Sequence, residues 1–403
     1  MTELRGHYVE LSWTPDFTRA SGRESVGHYQ AFVPDRIGEY EPRLESATTA
    51  LGERAAVAVR ELNSDSATLQ PLEGLGRQLL RSEALASSQI EGLNISHRKL
   101  AEADLTDRDG HHKAREILGN IRALDRATEI GASDEEIDID AITAIHREIA
   151  IVPPLEGIAG EIREGPSWIG GNSPLDAAYV GPPWEEVRPL LEDLCEFMNR
   201  DDISPVAQAA IAHAQFETIH PFGDGNGRVG RCLIQVIFRR RGLSPRYVPP
   251  VSIVLGADKD AYIAGLIGFR EGDVDGWVRQ FARSVEISAE QAQSFSREVA
   301  ALQADWRERL GRVRGDAAVL PIIAALPKYP IITAGVAETE VARTRPAIIN
   351  ALAQLESIGA LTRHRNQKKG DSWDAKELFK LLDEFEKAVK RPPASSGVSG
   401  RRA

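Results

Sequence analysis

The run His220-Pro221-Phe222-Gly223-Asp224-Gly225-Asn226-Gly227-Arg228-Val229-Gly230-Arg231 gathers an imidazole, a carboxylate, an amide and two guanidinium groups in one short stretch. The His220 imidazole has an ordinary pKa suited to proton abstraction near neutrality. Asp224 is a hard oxygen ligand of the kind a phosphate-bound Mg²⁺ takes from a protein. Gly225 and Gly227 let the backbone approach a ligand without Cβ obstruction, and the Asn226 amide can donate to a phosphate oxygen. Arg228 and Arg231 fall on the first turns of the apolar helix that follows, where outward N–H groups and the helix dipole also attract anions. A base, a metal ligand and a polyphosphate cradle imply phosphoryl or nucleotidyl transfer. The plainer reading is a surface turn on Asp-Gly-Asn-Gly with solvated neighbours. It accounts for the glycines and leaves the other residue types without a reason.

The elements that must hold this run are mainly helical. Apolar residues recur at helical spacing over about 45–61, 75–90, 113–127 and 140–149. The segment 152–183 is rich in proline and glycine, which predicts irregular backbone with a short hairpin. Pro189 marks the first turn or a kink of a helix ending near Asn199. Ser204-Pro205 is a start signal for an alanine-rich helix to about Thr218. The helix carrying the arginines spans about 226–240, with Gly242 placed to stop it. Two more helices are expected over 259–268 and 276–310. From about Asp316 the order is helix (319–326), short helix (337–342), helix (345–357) and hairpin (360–373), the order of a winged helix-turn-helix, with a closing amphipathic helix over 377–390. The stretch 391–403 has the composition of a disordered tail.

The glycine-rich run resembles the signature of the Fic family, H-x-F-x-[DE]-G-N-G-R-x-x-R, at every fixed position. The resemblance implies a Fic-type helical bundle with a short β-hairpin flap. It makes His220 the base that deprotonates the target hydroxyl and Asp224 the Mg²⁺ ligand. Gly225, Asn226, Gly227, Arg228 and Arg231 would hold the phosphates of ATP, with Phe222 turned inward to pin the loop. Doc-type kinases tend to carry lysine in place of the second glycine, so Gly227 favours AMP transfer over phosphorylation. The implied acceptor is a Ser, Thr or Tyr hydroxyl of a target protein, itself among the candidates, and the family's habit of pairing makes a homodimer the default.

Upstream, Ser87-Ser88-Gln89-Ile90-Glu91-Gly92 reads plainly as a helix end capped by Gly92, although the dipole disfavours a glutamate there. It also resembles the family's inhibitory motif [ST]-x-x-x-E-[GN], which implies that Glu91 pairs with Arg231 and occupies the place of the ATP γ-phosphate. The stretch 161–180, with Arg163 and Trp168-Ile169-Gly170, resembles the flap that holds the target by backbone pairing. The run Ala261 to Asp273 resembles a family segment near the adenine, with Ile263 and Arg270 departing from it, and makes Tyr262 the candidate nucleobase contact. The implied organisation is 1–110 as an N-terminal region with an inhibitory helix at about 82–91, then 111–291 as the catalytic domain. A linking helix (292–315), the winged-helix module (316–390) and the tail (391–403) follow.

Composition narrows the alternatives. The chain has 403 residues, 42% hydrophobic and 27% charged, with a formal net charge of −11. That balance argues against a protein built mainly to coat nucleic acid. No stretch approaches the ~18 to 20 apolar residues of a membrane span, and the N-terminus lacks a signal-peptide pattern. Cys195 and Cys232 are far apart and fit a reducing compartment, hence a cytoplasmic location. His111 and His112 have no partner at metal spacing and read as solvated loop residues. The predicted hairpin carries Arg363, His364, Arg365, Lys368 and Lys369, enough charge to touch a phosphate backbone. The predicted recognition helix offers few groups able to read bases, so contact with a protein stands ahead of DNA binding. Three readings compete with autoinhibited AMP transfer: the same site using another nucleotide, the same site mainly removing AMP, and a nucleotide-sensing winged-helix transcription regulator.

Overall fold

The computed structural model describes residues 4–14, 26–64, 73–106, 112–151, 155–366 and 370–389. In chain order the hairpin β1 (His7–Trp13) and β2 (Gly27–Val33) leads into α1 (Ser46–Leu62), α2 (Glu73–Ile90), α3 (His97–Thr106), α4 (His112–Ala132) and α5 (Ile139–Ile149). A shorter hairpin, β3 (Trp168–Ile169) and β4 (Tyr179–Val180), precedes α6 (Trp184–Asn199), α7 (Pro205–Ile219), α8 (Asn226–Arg240), α9 (Val251–Ala257), α10 (Lys259–Arg270) and α11 (Val274–Leu310). Then come α12 (Val319–Ala325), β5 (Ile331–Thr333), α13 (Ala334–Val341), α14 (Arg345–Ser357), β6 (Thr362–His364), β7 (Ser372–Asp374) and α15 (Lys376–Val389).

Helix α7 explains how the bundle is organised. Its sequence, PVAQAAIAHAQFETI, carries small or apolar residues on every side, so no face suits water and it lies at the centre. Helices α6, α8 and α11 pack around it. Two of the polar groups buried at α7 are paired: Gln208 Nε2 donates to the Phe197 carbonyl at 2.9 Å, and Trp277 Nε1 of α11 donates to the Ala210 carbonyl at 2.7 Å. Helix starts are marked locally. Asp138, Asp258 and Asp273 accept from the N–H of Ala141, Ala261 and Gly276, capping α5, α10 and α11. Pro189 lies inside α6, beyond its first turn. Helix α8 starts at Gly225 (φ +82°) and stops beside Gly242 (φ +64°), both left-handed positions that a Cβ would strain.

Helix α11 is 37 residues long, roughly 55 Å, and runs unbroken through the boundary expected at 291. Its first half buries Trp277 and Phe281 in the bundle, and its second half buries Phe295 and Trp306 in a second core. That second core also takes Leu62 of α1 and Leu75 and Leu79 of α2, so the C-terminal unit does not own its core alone. Its three strands pair antiparallel in the order β5-β7-β6, with Ile332 and Arg363 both opposite Trp373. The expected helices of this unit are present, and β5 adds a third strand to the expected hairpin.

The β1–β2 hairpin, α3 and α9 were not expected. Residues 111, 368, 369 and 391–403 lie outside the described residues. His112 opens α4, where its Nδ1 lies 2.8 Å from Glu116, so it is not a loop residue. Two of the hairpin cations are engaged within the fold: Arg363 holds Asp371 and lies over the Trp373 ring, and His364 meets Asp374 at 2.5 Å.

Candidate active site

His220 ends α7 in a left-handed conformation (φ 50°, ψ 60°), which turns the chain sharply before the loop. Its backbone N–H still closes the last turn on the Phe216 carbonyl at 2.9 Å. The ring Nδ1 lies 3.3 Å from the Glu217 carbonyl. A carbonyl can only accept, so the proton of the neutral ring sits on Nδ1 and the lone pair on Nε2 is left to take a proton. Burial, partly offset by the Glu217 carbonyl, pushes the His220 pKa down to about 4. The base form is therefore fully present at neutral pH, with lower basicity than an ordinary histidine.

Two residues behind the loop fix its shape. Phe222 is fully buried, as expected, and its ring stacks on that of His146 at 3.8 Å and 9°. His146, from α5, accepts the Gly160 N–H on Nδ1 at 3.0 Å and donates from Nε2 to the Asp224 carbonyl at 3.1 Å. The Asn226 side chain is not turned to a ligand. Its Oδ1 accepts the Phe222 N–H and its Nδ2 donates to the Phe222 carbonyl, both at 2.8 Å. The amide donor assigned to phosphate is thus committed to the loop, which leaves the backbone N–H of Asn226 for that purpose.

Arg163 ties the flap hairpin β3–β4 to this loop. Its Nε donates to the His220 carbonyl at 2.8 Å, Nη1 to Gly165 at 2.6 Å, and Nη2 to Pro182 at 2.8 Å and Ile219 at 3.3 Å. Its backbone N–H reaches the Pro221 carbonyl at 3.0 Å. Burial lowers its pKa to about 10, which still leaves it cationic. The N-terminal hairpin supports the flap from outside, with Trp13 edge-on to Trp168 (5.8 Å between centroids) and Phe32 near Tyr179. Arg270, a departure from the family pattern, lies 3.9 Å over the Tyr179 ring.

The two arginines of the run differ. Arg228 is buried, and its charged neighbours, Glu116 and Asp224, stand at 3.7 Å, beyond hydrogen-bond reach. Its Nε and Nη1 find no hydrogen-bond partner among the described residues. Buried guanidinium donors are normally satisfied, so these two are open to an acceptor from outside the described residues. Arg231 is engaged on every side. Nε donates to Ser87 Oγ at 2.8 Å, and Nη2 donates to the Ser87 carbonyl at 2.9 Å and to Glu91 Oε1 at 2.7 Å. Burial would raise the Glu91 carboxyl, but the Arg231 guanidinium overrides it and holds the pKa low. Burial likewise would lower Arg231, and Glu91 holds it high. The Glu91 carboxylate lies over Gly227, where any Cβ would overlap Glu91 Oε1. The spacing from Ser87 to Glu91 therefore has a geometric reason, since both residues hold the same guanidinium.

Helix α2 is fastened at this end by Lys259, whose Nζ donates to the Ile90 carbonyl at 2.6 Å and whose charge also steadies Glu91. A cation at a helix C-terminus offsets the unfavourable dipole there. Asp224 is exposed at the loop, and its Oδ1 accepts the Gly225 N–H at 2.5 Å. Among the described residues no group of three or more His, Cys, Asp or Glu could hold a metal on its own. A single carboxylate beside an anion cradle suits Mg²⁺, which takes one or two protein ligands and completes its shell with phosphate and water.

The structure places Tyr262 differently from the nucleobase role. Its ring is buried between His213 and Trp277, and its hydroxyl lies 2.7 Å from His213 Nε2 and close enough to Arg231 for a hydrogen bond. It buttresses Arg231 and has no open face to stack on a base. Glu217 lies in the same buried group, with Oε1 unpartnered among the described residues and its pKa raised to about 7 by burial.

Comparison with known proteins gives this geometry a context. Residues 136–238 match the model of the Fic/DOC family, and residues 49–129 match that of the Fic/DOC family N-terminal region. The chain is 31% identical over 179 residues to protein adenylyltransferase fic-1 of Caenorhabditis elegans, covering 43% of this chain and 32% of that protein. It is 33% identical over 175 residues to protein adenylyltransferase Fic of Drosophila erecta, covering 42% of this chain and 32% of that one. The chain thus spans about a third of the length of these relatives. Among solved structures, a Fic family protein from Desulfovibrio desulfuricans shares the fold, with a TM-score of 0.54 at 21% identity, over 83% of this chain and 98% of that one.

Proposed function

We propose that this chain, whose residues 49–129 and 136–238 match models of the Fic/DOC family, transfers AMP from ATP to a hydroxyl side chain of a protein, itself among the candidates. The observation that carries the proposal is one loop bearing both a neutral imidazole with a free Nε2 and the unpartnered guanidinium donors of Arg228. His220 Nε2 takes the proton of the target hydroxyl. The oxygen forms its bond to the α-phosphorus while the bond to pyrophosphate breaks in line. Arg228 and the N–H groups that open α8, approached across the side-chain-free backbone of Gly227, receive the negative charge as pyrophosphate leaves. Asp224 would hold Mg²⁺, which when bound neutralises phosphate charge. The burial that lowers the His220 pKa also makes the protonated ring short-lived, so the proton passes on to solvent.

Glu91 acts as a brake in this proposal. A terminal phosphate seeking Arg231 must displace a carboxylate already bonded to it and lying over Gly227, and with Glu91 in place ATP sits unproductively. The flap presents exposed Ile169 and strand edges for the target segment. In this proposal the C-terminal unit, residues 316–390, is a winged helix-turn-helix that docks the target. Engagement of Arg363 and His364 within the fold favours this role over grip on a phosphate backbone.

The test is transfer of label from α-labelled ATP with Mg²⁺, read as self-modification. Strong labelling of Glu91→Gly that vanishes in Glu91→Gly/His220→Ala supports the donor, the base and the brake together. Equal labelling of the wild type and Glu91→Gly removes the brake. Labelling that survives His220→Ala removes the base.

A further inference from the structure

Helix α8 presents Gly227 and Gly230 one turn apart on one face, and a carboxylate lies over each. Glu91 of α2 covers Gly227. Glu217 of α7 covers Gly230, where an added Cβ would stand 2.5 Å from its Oε1. Arg231 follows Gly230 in the chain and is only 1% exposed, so its charge depends on near neighbours rather than on water. Glu91 bonds it at 2.7 Å, and its acceptors on Ser87 are neutral. Glu217 acts on the same guanidinium through its charge. Yet Glu217 Oε1 is buried with no hydrogen-bond partner among the described residues, and His213 Nδ1, 4.0 Å away, is beyond hydrogen-bond reach. A buried carboxylate oxygen without a donor asks for a reason, and the transfer reaction itself gives Glu217 no task.

We infer that Glu217 is a positioning residue, the substitute counter-ion of Arg231, which ionises as Glu91 leaves and is reprotonated as a phosphate arrives. A buried guanidinium stripped of its only bonded carboxylate would carry an uncompensated charge. While Glu91 is seated, two carboxylates share one cation and repel each other. Burial then raises the Glu217 pKa to about 7, against the pull of Arg231 and with the push of Glu91. Once Glu91 swings aside, the push is gone and the pull remains. The Glu217 O–H bond breaks and its proton passes to water, which the side chain reaches through its 13% exposure. A phosphate on Arg231 restores the second anion, and Glu217 takes a proton back. The other groups facing it do not compete for that proton near neutrality. Burial keeps His213 neutral, with its pKa lowered to about 3, and pushes the Tyr262 phenol up. Only the role toward ATP rests on the proposed function; the exchange of counter-ions involves Glu91, Arg231 and Glu217 alone.

The experiment is carbon NMR of the full chain, isotope-labelled at the glutamate carboxyls, with Glu217 assigned by the signal that Glu217→Gln removes. Thermal unfolding checks that each variant is folded. In the wild type Glu217 should titrate near pH 7. In Glu91→Gly, and in Glu91→Gln, which keeps the volume, the midpoint should move below about pH 6, a gain in acidity of about tenfold or more. A midpoint that stays in place in both variants, or one already below about pH 5 in the wild type, overturns the inference. Calorimetry with ATP and Mg²⁺ reads the consequence. At about pH 8, Glu91→Gly/Glu217→Gln should bind ATP about tenfold more tightly than Glu91→Gly, and the two should converge near about pH 5.5. At saturating ATP, this leaves the pH course of transfer to His220. A ratio of affinities that does not change with pH overturns the positioning role. No ATP binding, with the NMR shift intact, sinks the nucleotide reading and leaves the exchange of counter-ions standing.

Discussion

The flap side and the α2 side of the site are held by opposite means. On the flap side a buried arginine satisfies four backbone carbonyls and fixes the loop of His220 with no exchangeable partner in sight. On the α2 side the key contact is a carboxylate, itself partly exposed, on a guanidinium that a phosphate could take over. Backbone carbonyls cannot leave the site, but a carboxylate at a helix end can swing aside. The difference teaches that the His220 loop is fixed by partners that cannot leave, while the Arg231 contact is open to exchange; under the proposed function, that makes the base permanent and access of the nucleotide's terminal phosphate conditional.

Breaking the permanent side should have the largest effect. Arg163→Met orphans buried carbonyls and frees the flap, so transfer in the Glu91→Gly background should fall by about 100-fold or more, and stability by about 3 kcal/mol. Labelling kinetics and denaturant unfolding check this, and Arg163→Lys should fail to rescue because a point charge cannot span the four carbonyls. Retention of near-normal transfer would mean that the flap needs no staple. On the conditional side, Gly227→Ala forces the Glu91 carboxylate off its seat. A double-mutant cycle with Glu91→Gly should show a coupling of about 1 kcal/mol in unfolding, because the clash disappears with the carboxylate. Additivity of the two changes would place Glu91 elsewhere in solution.

The pH response sharpens the same contrast. With the His220 pKa depressed to about 4, kcat/KM of Glu91→Gly should stay level from about pH 8 to 5 and decline only below that. An inflection near the ordinary histidine value would mean that the ring is solvated. The sign for stability is similar. His146 and His213, lowered to about 4 and about 3 chiefly by burial, bind fewer protons folded than unfolded, so stability should drop as pH falls below about 6.5. The smallest effect is expected at Lys259→Met, which loosens the end of α2 without removing Glu91. A rise in basal transfer of about two- to threefold follows if the tether matters.

What could be read in the sequence was whatever is local. The candidate site loop lies within one continuous run, so its histidine, carboxylate, glycines and arginines announce each other by spacing. The pairing of Glu91 with Arg231 was legible only through family likeness, since nothing in the intervening residues brings them together. Arg163, His146 and Lys259 act through backbone atoms of distant segments, and no periodicity reports such partners. Tyr262 misled because an aromatic on a helix looks the same whether it faces a ligand or a core. Asn226 misled for a related reason: its amide closes a ring on Phe222 four residues back. The β1–β2 hairpin and α9 were missed because each is short, and each is held by packing on elements far away in the chain.

His220 occupies a left-handed backbone position that glycine would accept more readily, at a cost of about 1 kcal/mol for a residue with a side chain. At this one residue, selection for a more stable protein and selection for an active one point in opposite directions. A protein freed from the chemistry could carry glycine here and gain stability, so the strain at this position is the cost that the function sets against the fold.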